Sequence, residues 1–477
     1  IMGVAFRNSA TIGGSVAAGG LGVGGVVAIT VIGSNANAII ESGASVQAYE
    51  INVIAGLDSN IDATSVAGSI SFAGGFTGQV VVLDDHANQV ASIGSVDTVT
   101  TAVKAETINV KAKANRVVKA NASGLTAGQI AAGFSVAVSN VDGQTLASLK
   151  AVTNQPFTMV DDYSKIKVNV NAEASVETHT LTINLAGGSV GGAAGVVTNT
   201  VKPTVEAYIT ESVIKSNELQ VISKLQSKII SKAVAVAVTA AGGGGLNIAV
   251  VTNAPIIRAY IKNSELYKQA GIVIKTLYNA DDVGNQIEGK DVFVSSTAIS
   301  GAGLAGLTGS IAVIHSAPEV STRLFGSEVQ ESSGFLEILS KVYNKFEVES
   351  VGGAVSGAAS AVVNLAVVDN SNSKYLATIN TTKFVNGYGI VIDNHVIETA
   401  SSKVVGASLA ALGSGFINVA VSTLTPVVES GIHNLIGSSF IELNPEHPDL
   451  NRKVNIFAQY DGDAQAKALG VAVRSGI

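Results

Sequence analysis

One pattern recurs through this chain every 52 to 63 residues, and it limits the fold more than any composition statistic does. The segment "TVEAYITESVIKS" (204–216) is echoed by "IIRAYIKNSELYK" (256–268). Looser copies are "ANAIIESGASV" (36–46), "QTLASLKAVTN" (144–154), "EVSTRLFGSEV" (319–329), "KYLATINTTKF" (374–384) and "VVESGIHNLIGSSF" (427–440), with a degraded one at 88–99. Aligning Ile39, Ile93, Leu149, Ile209, Ile261, Leu324, Ile379 and Ile432 gives eight units, the last partial, starting near 36, 90, 146, 204, 256, 319, 374 and 427. No interdomain linker interrupts them, so residues 1–477 read as a single repeat array.

Each unit continues in the same way. An alternating strand follows, such as "TINVKAKANRVVKA" (107–120), where Ile108, Val110, Ala112 and Ala114 share one face and Asn109, Lys111, Lys113 and Asn115 the other. Period two is the mark of a strand with one buried face. A Gly/Ala-rich stretch comes next. Its most regular copy, "AVAVAVTAAGGGGLNIAVVTN" (233–253), passes 21 residues without a charge. Read alone it suggests a membrane span. Its relatives at 13–35, 122–141, 183–201, 300–318, 351–371 and 404–426 are each split by glycine, rich in β-branched residues, and free of aromatic belts, which makes them poor helices. Two strands joined across a glycine bend account for all of them.

The expected fold is therefore all-β: a parallel β-helix or β-solenoid in which each unit forms one large coil or two to three ordinary ones. A propeller is the alternative, since its blades have a similar period, but no blade signature recurs. The insertions at 278–293 and 444–455 read as surface loops. The opening Ile1-Met2 and the lack of polar end caps read as an excerpt from a longer chain.

Composition removes several function classes. With no Cys there are no disulfides, thiolate metal sites or Cys nucleophiles. A net charge of −7 without a basic run offers no footprint for nucleic acid. Gly20, Gly22 and Gly25 match a phosphate-loop spacing, yet no βαβ unit surrounds them, so they read as a bend. His86, His179, His315, His395, His433 and His447 never fall in metal-ligand spacing. Asp84, Asp85, Asp161, Asp162, Asp281 and Asp282 are the calcium candidates, and the same acids would serve a β-helical polysaccharide-degrading enzyme. Lys224, Lys228 and Lys232 read as an outward strand face that discourages edge pairing. No catalytic or cofactor-binding residue is assigned.

The "AYI-x-x-S" strand, the alternating strand and the Gly/Ala element ending in "AVVTN" or "AVVNLAVV" resemble the repeat arrays of large bacterial surface adhesins. These are the leukotoxin-like, filamentous-haemagglutinin-type proteins exported by the type V route. The resemblance implies an extracellular or cell-surface β-helical fibre, non-enzymatic, used for adhesion or cell–cell contact. Its partners would be host or neighbouring-cell surface molecules, protein or glycan, with self-association along the fibre. A tailspike-like depolymerase and a self-assembling filament or sheath subunit are the alternatives.

Overall fold

The computed structural model describes residues 1–96, 98–157, 162–267, 269–289, 291–433, 441–443 and 453–474. The chain is all-β, and every repeat is one complete coil paired in parallel with its neighbours. Coil 4 is representative: a long strand Lys167–Val201, a back strand Thr204–Thr210 and a closing strand Val213–Lys215. The long strands of nine coils, beginning at Met2, Glu50, Thr107, Lys167, Glu218, Gly271, Phe335, Gly389 and Val454, stack into one sheet, those of coils 6 to 8 as separate segments, while the back and closing strands form two sheets of eight. The register is continuous from coil to coil, as where Lys167 pairs with Thr107 below and Glu218 above. The end coils each pair on one side only.

The long strand is bent double at the glycines. Asn199 Nδ2 reaches back 21 residues to donate to Thr178 Oγ1 (2.9 Å), and Thr11 and Thr30 hydroxyls meet at 2.8 Å. Each arm keeps its backbone pairing with the same arm of adjacent coils, so the bend is an arch rather than a hairpin. The four glycines of 233–253 therefore mark the corner of one coil. Close stacking at the tip demands glycine: a Cβ on Gly188 would lie 1.9 Å from the Gly128 carbonyl oxygen. In coils 6 to 8 the strand breaks at this tip, as between Ala302 and Ala305.

The apolar core lies at the base of the arch. Ile108, Val110, Ala112 and Ala114 point inward as their alternation requires, packing in one cluster with back-strand residues such as Val205, Ala207 and Ile209. The arch interior is different. Ser, Thr, Asn, Gln and Ala fill it, bonded across and between coils, as in Thr77 with Thr126 (2.6 Å) and Ser310 Oγ to Ser296 O (2.7 Å). The narrow gap between two arms takes only small side chains, and hydrogen bonding satisfies the polar ones it buries.

The corners use repeated devices. Between back and closing strands, one residue in each of coils 2 to 7 turns the chain with positive φ: Gly94, Ala151, Glu211, Asn263, Gly326 and Thr381. Non-glycine residues hold this left-handed conformation at a cost of roughly 1–2 kcal/mol. The hydroxyl that follows stabilises the corner. Ser212 Oγ donates to the Thr210 carbonyl and accepts from Val152 N in the coil below, and Ser264 and Ser327 continue the ladder. This is the serine of the "AYI-x-x-S" motif. At the entry to the back strand, Pro203, Pro255, Pro318 and Pro426 occupy one equivalent position, so each coil's missing N–H falls where the chain turns.

One alignment is corrected. Ile93 pairs with Ile40, not Ile39. The doubled isoleucine hid a one-residue slip, and only the Ile40 side chain faces the core (6% exposed). The insertion at 279–291 leaves the middle of the first arm in coil 6, opposite three residues of coil 5. The Asn279 side chain fills the interrupted ladder, accepting from Ser227 N (2.8 Å) and donating to the Tyr343 carbonyl (3.1 Å). The insertion at 444–452 lies outside the described residues.

Candidate functional site

The outer face of the first arm carries the charges, and over the middle of coils 3 to 5 their sign alternates from coil to coil. Coil 3 presents Lys111, Lys113 and Lys119, coil 4 Glu173 and Glu177, coil 5 Lys224, Lys228 and Lys232. Pairs form along the stacking axis: Lys111 with Glu173 (2.9 Å), Lys228 with Glu177 (3.0 Å), and further up Lys341 with Asp393 (2.6 Å) and Lys403 with Glu349 (3.4 Å). The His179 hydrogen bond, with help from Lys228, holds the Glu177 carboxyl below its ordinary range. Part-exposed pairs contribute little each, and a slipped coil would separate the paired charges along the face. On the back strand, Arg258 does the same between Glu206 (3.0 Å) and Glu319 (2.9 Å), and Tyr208 stacks on Tyr260 at 4.9 Å.

The three lysines of coil 5 do face outward. They are not an edge device, because they sit mid-sheet: Lys224 binds Asp282 (2.6 Å), Lys228 binds Glu177, and Lys232 lies over the Phe293 ring. A shallow cavity of about 670 Å³ runs across this face between Asp58, Lys111, Glu173, Lys224 and Asp282. Both signs of charge line it, and the lysines and acids are largely engaged with each other. It offers no convergent pair of free carboxylates.

The candidate acids scatter. Asp84 ends the second arm of coil 2, accepting from His86 Nε2 (2.7 Å) and Asn140 Nδ2 (2.9 Å). The other ring nitrogen of His86 meets Asp142, and that hydrogen bond raises the histidine's pKa. Asp162 sits before the first arm of coil 4, tied to Ser164. Asp281 accepts backbone N–H groups from Val283, Gly284 and Asn285, folding the inserted loop; these bonds, led by Asn285, hold its carboxyl low. Coils 2 and 6 stand four rises apart, roughly 19 Å, so Asp84 and Asp281 share no site. Asp161 and His447 lie outside the described residues. Among the described residues no group of three or more His, Asp or Glu side chains is arranged to hold a metal ion. Gly20, Gly22 and Gly25 lie at the arch of coil 1, where Ser69 donates to the Gly22 carbonyl. No helix among the described residues is long and apolar enough to cross a membrane, and 233–253 lies within the strand Glu218–Asn253.

Two buried polar clusters, one around Asp85 and Arg116 and one around Glu398, lie where the second arm meets the back strand. Asp85 is 0% exposed and Arg116 1%, with Nε 4.0 Å from Asp85 Oδ2; Arg116 Nη2 donates to the Ala87 carbonyl (2.6 Å) and Gln89 Oε1 (3.1 Å). Burial lowers the Arg116 pKa, against the pull of Asp85 and Asp142. Gly143 makes room for this guanidinium, since a Cβ there would stand 2.6 Å from Nη2. Five coils further on, Glu398 is fully buried and accepts from Tyr375 Oη, Asn344 Nδ2 (2.9 Å) and Asn370 Nδ2 (2.8 Å). Neither group opens onto a groove. Arg116 continues the inward register of Ile108 to Ala114, a placement its alternation already contained. Comparison with family models, curated proteins and solved structures returned no match.

Proposed function

We propose that this chain is a non-enzymatic structural segment of a long extracellular or cell-surface fibre that serves adhesion or cell–cell contact. The observation that carries this reading is the use made of the repeated polar groups. The charge columns, corner hydroxyls and arch amides bond mainly one coil to the next, and among the described residues no column gathers the acids needed for a reaction. A stack built this way extends by adding coils, and each coil adds its own interface energy. Its small side chains and paired backbone give a stiff body suited to holding a contact surface away from a cell.

Beads coated with the purified chain are expected to bind host or neighbouring bacterial cells saturably. Incubated with bacterial polysaccharides they release no reducing ends, for wild type and Asp282→Asn alike. Beads that bind no cell surface, or turnover that Asp282→Asn abolishes, overturn the proposal.

A further inference from the structure

The second arm of the arch is inside out. In coil 5 its inward residues are Gly245, Asn247, Ala249 and Val251, while Leu246, Ile248 and Val250 point away from the body. Coil 3 repeats this with Ser135 and Ala137 inside and Phe134, Val136 and Val138 outside. The register lines these residues up. One column runs Val80, Val136, Val196, Ile248, Ile311 and Leu365, and the next runs Val82, Val138, Thr198, Val250, Val313 and Val367. Toward the tip, Phe134 (45% exposed), Leu246 (49%), Val363 (50%) and Ile417 (61%) form a third column. Glycines and alanines between them line a shallow apolar groove of about 470 Å³ over coils 3 to 6.

From the tip through the Val82, Val138, Thr198, Val250, Val313 and Val367 column, the second arm has no ionisable side chain in any of the eight coils that carry one. Its far border is polar, a column of Asp84, Asn140, Thr200, Thr252, His315 and Asp369. An apolar centre with a polar rim is the anatomy of an interface. Sheets facing water put polar residues outward, and the first arm of the same coils does so.

We infer that this face packs against the same face of a second copy of the chain, sheet against sheet. Three arguments select that occupant. The face is a regular lattice, in register from coil to coil with roughly 4.8 Å between coils, and a surface of the same repeat is the one that matches it along its whole length. Eight strands of twelve residues span roughly 38 by 40 Å, so half of the face supplies the ~800 Å² per partner of a standard interface. Lipid is a poorer match, because the face has neither the Trp/Tyr girdle nor the flanking Lys/Arg of membrane-seated surfaces. The pairing rests on the face alone and does not depend on the fibre reading.

Sedimentation velocity tests it on the 477-residue chain. Wild type is expected to form a dimer at about 50 μM, since interfaces of this area associate at micromolar concentrations or tighter. The Val138→Lys/Val250→Lys/Val367→Lys variant, whose substitutions point outward and should leave the β circular-dichroism spectrum unchanged, is expected to weaken association at least ~100-fold by burying unpaired charge. Lys119→Ala, on the opposite face, is expected to dimerise like wild type. A monomeric wild type overturns the inference, as does a triple variant that folds and dimerises normally. Wild type that stays monomeric yet floats with phosphatidylcholine vesicles assigns the face to lipid instead.

Discussion

Arg116→Met is expected to lower the free energy of unfolding by about 3–5 kcal/mol, the usual consequence of leaving a buried charge without its partner. Asp85 would be left in the interior with its Oδ1 bonded to Ala87 N (3.0 Å) and no cation beside it. The Ala87 carbonyl and Gln89 Oε1 would each lose a donor. The apolar replacement itself fits, because the same column holds Val176 in the next coil. The loss therefore measures electrostatics, not a clash. Combining Arg116→Met with Asp85→Asn should recover at least ~2 kcal/mol, because the pair is coupled. Denaturant titration of the two single variants and the double variant reads this directly. A single-variant cost below about 1 kcal/mol would mean that the guanidinium is solvated and not enclosed.

Glu398→Ala is the second large effect, with an expected loss of about 3 kcal/mol from stranding three buried donors. Tyr375, Asn344 and Asn370 converge on this one side chain, and among the described residues no cation pairs with it. Burial raises the Glu398 pKa above the ordinary carboxyl value of 4.5, with its hydrogen-bond donors opposing the shift. The folded state therefore holds the proton more tightly than the unfolded chain. Its contribution is complete below 4.5 and is lost as pH rises through the folded pKa. Glu398→Gln removes that dependence, so the variant should gain in melting temperature relative to wild type between about pH 4 and pH 8. A relative loss over that interval would show that the donors keep the carboxylate charged at all these pH values.

The fold was legible because its signals repeat. Period-two alternation in 107–120 sets the inward face and extends to Arg116, and glycine at a constant place in each unit announces the arch. Other features were hidden because they depend on which face an arm turns toward its own partner arm. In "GFSVAVSN" (133–140) the large valines look like core and the serines like surface. The structure reverses them, since the arch gap admits small residues and its polar atoms bond inside it. The left-handed corner was equally invisible at Ala151, Glu211 and Thr381, residues that carry no turn signature. Serine one position later was visible, but its partner lies a whole coil away. The acid pairs misled for a related reason. Adjacent aspartates say nothing about position around the coil, and Asp84, Asp162 and Asp281 occupy three different places on it.

Each repeat is one self-contained coil stacked by register on its neighbours, so excising one coil should leave the rest of the stack intact. Residues 204–255 run from one back-strand start to the next, Thr204 pairing with Ile256. Their removal joins Pro203 to Ile256 at equivalent corners. Small-angle scattering and circular dichroism should then show a folded β-protein whose axial length, about 40 Å for nine coils, has dropped by one rise of about 4.8 Å. Its denaturant slope should fall by roughly one part in nine. A chain that unfolds or aggregates after this in-register excision, or that keeps its original length, would contradict the stacked-coil account.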